Sequence, residues 1–518
     1  MTGLRCMLAE ERFSEIMRMK TKLLGNARRG WLAVGISAWP CWLASCATVD
    51  HIPELRQADE ALAKATGMHS KWVELGEAKT IEPQSDGTIP LDSVVELTLY
   101  NNRSLRADLE VLGQAKAELV QAGLLSNPVL SIMTGLPEGG GRADVAFGLS
   151  KDIADLWLIP IRKRAAQAIV QQRVLSFTDT AMNLLNETRT TYFGLQYQVL
   201  ASDLQGQNLR ILQESMEIAQ ARLRGGDTTQ LDINLVRARY LEAQNQLLQL
   251  HTDANMSRRT LLRLMGVSKA STDWSPEPLR MDRAVAGLSM DEAELVEVAL
   301  LQRLDAQAAR WELEAAVAEY DQQRRKVIPS LSLGISGERF ERRALPGRDV
   351  AADTARASVA AGQLTAPEIQ SRAQRRQEWS QEIDLILGPS IEMPLPIFDQ
   401  NQAQIAKAQF RAKELQQRYE EIEQRVAEGV RNAFLQRRLA EDRVKLFRDS
   451  LVPLQEANLT LARTAYQSGR ESILTVLVAQ ESLIRTRLDH AAAVRDFEVS
   501  KANIERLLAG PAPEISPP

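Results

Sequence analysis

The chain has 518 residues, with 63 Lys and Arg against 67 Asp and Glu for a net charge of −4, and 44% hydrophobic but only 5% aromatic residues. A quarter of the residues are charged and the mean hydropathy is −0.24, which excludes a polytopic helical membrane protein. No basic excess exists to neutralise phosphates, so nucleic-acid binding is disfavoured. Four histidines (His51, His69, His251, His490) and three cysteines (Cys6, Cys41, Cys46) lie far apart, and no zinc, haem or iron–sulfur spacing can be drawn among them. Neither a metal site nor enzymatic chemistry is expected.

The first segment reads as an address. Lys20, Lys22, Arg28 and Arg29 precede the nearly uncharged window Trp31–Ser45, which falls short of the roughly 20 residues of a helical span. A basic region, an apolar region and then small residues make a secretory signal. It ends in Leu43-Ala44-Ser45-Cys46, which resembles the lipobox of bacterial lipoproteins. In signals of that kind the peptide is cut before the cysteine, which is then acylated. Residues 1–45 are therefore expected as signal peptide, and a covalent lipid on Cys46 is the only non-protein group expected. Ala47 stands where an Asp would resemble an inner-membrane retention signal, so the outer membrane is the expected destination. Met19-Lys20 would make a normal start, so 1–18 reads as an over-extended beginning. The rival reading is an ordinary signal with a chance cysteine. Residues 46–90 follow as a lipid-anchored extended segment.

An internal repeat organises the remainder. Residues 95–132 align with 296–333 at a constant offset of 201: VELTL (95–99) matches VEVAL (296–300), and Pro128 matches Pro329. A second stretch repeats at an offset of 243 or 244, with GGDTTQLD (225–232) opposite SGRESILT (468–475) and RLMG (263–266) opposite RLLAG (506–510). Two copies of a helix–strand–strand–helix unit are expected, over 91–266 and 289–510. The stretch Val267–Leu288 is the connector, and 511–518 is a tail.

Each copy changes its hydrophobic period in the same order. In the second, Ile405, Ala408, Ala412, Leu415, Tyr419, Ile422 and Val426 alternate spacings of three and four, continuing through Gly429, Ala433 and Gln436 to Ala440. That is a heptad seam. Ile161–Arg224 holds no proline, so as one helix it would run on the order of 96 Å. Short alternating segments are expected as strands at about 128–135, 143–151, 329–336 and 383–395. Small or polar residues on one face and aliphatics on the other fit membrane barrel strands, which need roughly 9–11 residues when tilted. A half-buried soluble sheet would look the same. Four strands cannot close a barrel, and an open edge in lipid leaves backbone groups unpaired, so a membrane location requires several chains to share one barrel. Gly139-Gly140-Gly141 lacks the helix start and Lys-Ser/Thr of a phosphate cradle and reads as a tight turn. Residues 337–381 read as a long outer loop.

Over about residues 90–510 the chain resembles the outer-membrane efflux protein family, the TolC-like channels. The resemblance rests on the duplicated order and on Pro394-Leu395-Pro396-Ile397-Phe398-Asp399 after the fourth strand, with Ile159-Pro160-Ile161 as its fainter copy. Gly226 and Gly469 at equivalent turns complete it. The implied fold is mainly α with a small β part: a homotrimer whose helices form a periplasmic tunnel, joined to a twelve-stranded outer-membrane barrel with four strands per chain. The segments before Leu91, around Val267–Leu288 and after Gly510 would form a belt about the tunnel. The implied partners are outer-membrane lipid, a periplasmic adaptor and an inner-membrane pump of the resistance–nodulation–division class, in a Gram-negative cell. The implied activity is passive conduction, without cofactor or catalysis.

The resemblance also implies roles for the two tip turns. Grooves receiving the adaptor would be built on Gly225, Gly226, Asp227, Thr228, Gly469, Arg470, Glu471 and Ser472. Candidates for closing the tip are Asp232, Tyr466 and Glu471. The second tip departs from the best-known pattern, with Thr475 and Val478 where acids would stand, so an acidic cation-binding ring is in doubt. For the two tip turns the alternative is simple helix-hairpin punctuation, and both readings can hold at once. The rival for the whole chain is a non-conducting coiled-coil scaffold lipoprotein of the periplasm. The transported substrate is not legible.

Overall fold

The computed structural model describes residues 49–514, apart from 71, 73–78, 83, 137–142, 227, 268, 283–284, 328–329, 342–358, 363–382 and 512. Cys46, Asp227, Gly139–Gly141 and most of the expected outer loop lie outside the described residues.

The chain runs through α1 (Ile52–Thr66), β1 (Thr88–Ile89), α2 (Leu91–Asn101), α3 (Arg103–Gly123), β2 (Val129–Gly135), β3 (Asp144–Asp152), α4 (Asp155–Gly225) and α5 (Gln230–Leu264). After β4 (Ser275–Pro276) the order repeats as α6 (Glu292–Gln302), α7 (Leu304–Arg325), β5 (Ser332–Glu341), β6 (Ile383–Glu392), α8 (Gln402–Leu446), a π-turn (Phe447–Leu451), α9 (Val452–Gln467) and α10 (Ile473–Leu508). The duplication extends to backbone angles. The break between α2 and α3 falls at Asn102 (φ −57°, ψ 123°), and that between α6 and α7 at Arg303 (φ −62°, ψ 126°), 201 positions later. The side chains solve the shared break differently. Asn102 accepts from the Ser104 and Leu105 amides and donates to the Leu264 carbonyl, whereas Arg303 pairs bidentately with Asp305.

The α4 helix has 71 residues, about 107 Å at 1.5 Å per residue. It begins six residues before the expected Ile161 and carries Pro160 inside its second turn, near enough to the start to be tolerated. Its partner hairpin is α8–α9 with α10. The α7 helix packs along α4 and α8, and α10 along α4, α8 and α9. The seam of α8 holds for Ala408, Leu415, Val426, Ala433 and Ala440, all buried, but is corrected at one position. Arg437 is buried and Gln436 exposed. The Arg437 guanidinium lies 3.5 Å from the Phe497 ring centroid and donates through Nη1 and Nη2 to the Phe497 and Ala286 carbonyls and to Glu514 at 2.9 Å, so most of the buried charge is compensated while Nε is left without a partner.

The three segments outside the repeats gather on the helical body. Trp72 donates to the Leu99 carbonyl (3.1 Å) and meets Phe177 edge-on, fastening α1 and its sequel to α2 and α4. Thr88–Ile89 pairs in parallel with Ser275–Pro276. Tyr192 of α4 staples that pair: its hydroxyl donates to the Ile89 carbonyl (2.7 Å) and accepts from the Glu277 amide (2.9 Å). Burial raises the Tyr192 phenol well above its ordinary value, so it stays a donor. The end of the connector pairs with the tail through Leu288 and Glu514, and Ser289 donates to the Pro513 carbonyl.

The four longer strands form one antiparallel sheet in the order β2-β3-β5-β6. Two bounds differ from the sequence reading. β5 runs to Glu341, so residues 337–341, expected as loop, pair with 383–387. β6 stops at Glu392, before Pro394, whose ring nitrogen has no proton to give a ladder.

Candidate functional site: the sheet faces and the helical tips

Direct partners in an antiparallel ladder share a face, so the register assigns every side chain. One face carries Leu130 and Ile132 of β2, Val145, Phe147 and Leu149 of β3, Leu333 and Ile335 of β5, and Leu385, Leu387 and Ile391 of β6. Its middle is apolar and uncovered, with Ile132 67% exposed, Ile335 64% and Ile391 73%, while Thr134, Lys151 and Arg339 share the face toward the strand ends. Phe147 fits on this face only because Gly337 lies beneath it; a Cβ there would stand 2.6 Å from the ring and from Leu387. The opposite face carries Ser131, Ala146, Gly148, Ser150, Gly334, Ser336, Gly388 and Ser390, with Val129, Met133 and Ile386 as its apolar members. There Gly334 admits the close approach of the neighbouring strand, since a Cβ would meet the Leu149 carbonyl at 2.5 Å. A sheet with one greasy exposed face and one small polar face, 7 to 10 residues long in each strand, suits a wall between lipid and water. Among the described residues, β2 and β6 are edges, each paired on one side only.

At the far end of the long helices, the first tip turns at Gly226 (φ 80°), whose amide caps α4 on the Arg222 and Leu223 carbonyls. Thr229 then starts α5 with a reciprocal capping box to Asp232. The Asp232 carboxylate accepts from the Thr229 amide (3.0 Å), the Thr229 hydroxyl (2.7 Å) and the Thr228 hydroxyl (2.8 Å). These bonds, the backbone one foremost, hold its carboxyl below the ordinary carboxylate value.

The second tip repeats the backbone and changes the chemistry. Gly469 takes φ 72°, and Ser472 starts α10 in extended conformation but makes no side-chain cap. Thr475 donates instead to Glu471 (3.0 Å). Gly225, Gly469, Arg470, Glu471 and Ser472 are exposed at the turns. Tyr466 meets neither tip acid in a hydrogen bond; the Arg222 guanidinium sits 4.4 Å over its ring and joins the first hairpin to the second. Beneath the tips, Leu212, Val236, Leu459, Ala462, Ile473 and Val476 form a small core shared by both hairpins. Arg222 escaped the sequence reading because an arginine in the last turn of a helix is already explained by the helix dipole. Tyr192 escaped it because a lone tyrosine in a heptad stripe looks like ordinary core.

Among the described residues, no group of three or more His, Cys, Asp or Glu side chains could hold a metal ion. No helix among them is long and apolar enough to cross a membrane.

Comparison with known proteins bears on these features. Residues 295–510, most of the second repeat, match the family model described as outer membrane efflux protein. The chain is 26% identical over 331 residues to the cation efflux system protein CusC of Escherichia coli K12, covering 62% of this chain and 63% of that protein. It is 24% identical over 323 residues to the multidrug resistance outer membrane protein MdtP of Escherichia coli O6:H1, covering 56% of this chain and 64% of that one. The chain thus spans somewhat under two thirds of the length of these relatives. Its fold matches the crystal structure of CusC with a TM-score of 0.62 at 20% identity, over 83% of this chain and 95% of that one. The repeat, the four-stranded sheet and the paired long hairpins make the chain similar to the outer membrane efflux protein family, whose model matches most of the second repeat.

Proposed function

We propose that the protein is the outer-membrane channel of a tripartite efflux system, conducting passively from the periplasm to the exterior. The observation that carries the reading is the sheet with two open edges and an uncovered apolar face. In lipid such edges must be paired, and head-to-tail pairing of β6 with β2 of the next copy closes a ring. Three copies would give a twelve-stranded barrel with the small, polar face lining the lumen. The helices support the same assembly. Leu241 and Leu248 of α5 are exposed at heptad spacing, as are Leu439 and Leu446 of α8 and Leu454 and Leu461 of α9, the stripes a neighbouring hairpin would cover.

In this reading the tips at 225–228 and 469–472 receive a periplasmic adaptor, and an inner-membrane pump of the resistance–nodulation–division class supplies the energy. An acyl group on Cys46 anchors the N-terminus in the outer membrane, and no cofactor takes part. CusC belongs to a cation efflux system and MdtP to multidrug resistance, and no substrate class is carried over to this chain.

The test is a Cys46→Ala form exported on a cleavable signal peptide, sized by light scattering in detergent and then reconstituted in planar bilayers. A detergent-dependent trimer that conducts ions is expected. A water-soluble chain that is not trimeric would establish the scaffold reading in its place.

A further inference from the structure

Midway along the second hairpin, the helix widens for the five residues Phe447–Leu451 into a π-turn that no other long helix shows among the described residues. Opposite it lies His490 of α10, 8% exposed, with its ring stacked on Phe447 (centroids 6.3 Å, planes 22° apart). Its Nε2 is buried and has no hydrogen-bond partner. π-turns disturb the helical ladder and are kept where a site needs the distortion. Here the turn brings Phe447 against an imidazole whose buried Nε2 is left without a partner.

The charged groups around the ring are few. From the π-turn come Arg448 and Asp449, bonded to each other at 2.7 Å. From α8, Arg443 lies 5.9 Å over Phe447 and pairs with Asp496 at 3.3 Å, and Lys445 is held by Glu441. From α4 comes Leu200, and from the connector Met281 and Val285, all in the apolar cluster that includes Phe447 and Val494. The nearest α4 acid in sequence, Asp203, is exposed, as is Asp489 beside His490. Arg448 opposes a second positive charge and Asp449 favours it, but Asp449 is already engaged by Arg448.

We infer that His490 and the Phe447–Leu451 π-turn form an acid-responsive joint: the neutral imidazole holds the turn closed, and its protonation drives the ring from the core and frees the turn. Burial, and then Arg448, hold the imidazole below its ordinary value of 6.5. A histidine lowered in the packed state takes its proton more readily in the released one. The packed state therefore loses ground as the pH falls below 6.5, and is unaffected above it. The joint lies between the tip core around Leu459 and Ile473 and the clasp at Arg437, so its release alters the hinge between the tip and the body of the second hairpin. This inference stands whether or not the chain conducts.

Hydrogen–deuterium exchange of the full-length protein in detergent tests it, read on peptides covering 440–455 and normalised to intrinsic rates. Between pH 7.5 and 5.5 protection should fall measurably, by at most about tenfold, in the wild type and stay constant in His490→Phe, whose ring keeps the stack and cannot be protonated. His490→Gln serves as the second variant, should the larger ring disturb folding, and should be equally insensitive. A wild type without pH response, or variants that respond as it does, would overturn the joint. So would a response that survives in His490→Phe and vanishes in Asp449→Asn, which would assign the titration to Asp449.

Discussion

Thr228 donates its hydroxyl to Asp232 at the first tip, and at the second tip the same bond runs backwards, from Thr475 to Glu471. The four residues are repeat equivalents, Thr228 with Glu471 and Asp232 with Thr475, 243 positions apart. Acid and hydroxyl have changed places while the turn kept its shape. The consequence is chemical: only the first tip has a carboxylate at the third helical position, where it closes a capping box.

The two tips should therefore fray differently. Thr229→Ala removes the first cap and should weaken the start of α5 by about 1 kcal/mol, seen as faster amide exchange over 230–236. Thr475→Asp gives the second tip the missing acid opposite Ser472 and should slow exchange at the start of α10 by a similar factor. No change in the second variant would show that Ser472 is held away from capping geometry.

Asp232 also sets an acid limit. Its carboxyl titrates below the ordinary 3.8 in the folded tip. The ionised form therefore contributes stability above 3.8, and that contribution is lost as the pH falls through the lower folded value. Asp232→Asn lacks it at every pH. Wild type and variant should differ in α5 exchange at neutral pH and converge in strong acid; a constant difference would rule out this account.

How much of this was legible in the sequence depends on whether a residue acts within its own repeat. The breaks at Asn102 and Arg303, the turns at Gly226 and Gly469 and the apolar set Val145, Phe147 and Leu149 all recur or alternate, so period and offset reveal them. The αL position after α10 shows the limit of the method. Matching RLMG to RLLAG pairs Gly266 with Gly510, yet the left-handed residue equivalent to Gly266 (φ 68°) is Ala509 (φ 46°). Contacts that reach outside a residue's own repeat leave no such trace. Arg222 with Tyr466, Arg437 with Glu514 and Tyr192 with Ile89 join residues 77 to 244 positions apart, and each is plausible locally as an ordinary helical residue.

The Arg222–Tyr466 contact should act as a link between hairpins rather than as a gate of acids. Its strength at a half-exposed site is about 0.5–1 kcal/mol. Tyr466→Phe keeps the ring and should leave opening unchanged, whereas Tyr466→Leu should raise the open probability in bilayers roughly two- to fivefold. Equal effects of the two substitutions would point to the hydroxyl instead.

The Arg437 clasp predicts an ordering among three charges. Glu514→Gln leaves the guanidinium buried with one charged partner fewer and should destabilise by about 1–3 kcal/mol, since Glu514 itself remains partly exposed. Lys501→Met removes only an outer partner of Glu514 and should matter less. Thermal unfolding of the detergent-solubilised protein, with limited proteolysis of the tail, reads both.

The sheet offers the sharpest test, because adjacent residues face opposite surroundings. Ile335 pairs with Leu149 and Pro389 on the apolar face, and Ser336 pairs with Gly148 and Gly388 on the other. If the apolar face meets lipid, Ile335→Arg places a cation in hydrocarbon and costs about 2–4 kcal/mol near the midplane. Ser336→Arg adds the same side chain one residue on, toward the lumen. The first should deplete the heat-stable oligomer from the outer-membrane fraction. The second should leave assembly intact and change ion selectivity. Were the sheet half-buried against protein instead, no lumen would exist, and Ser336→Arg would change no conductance.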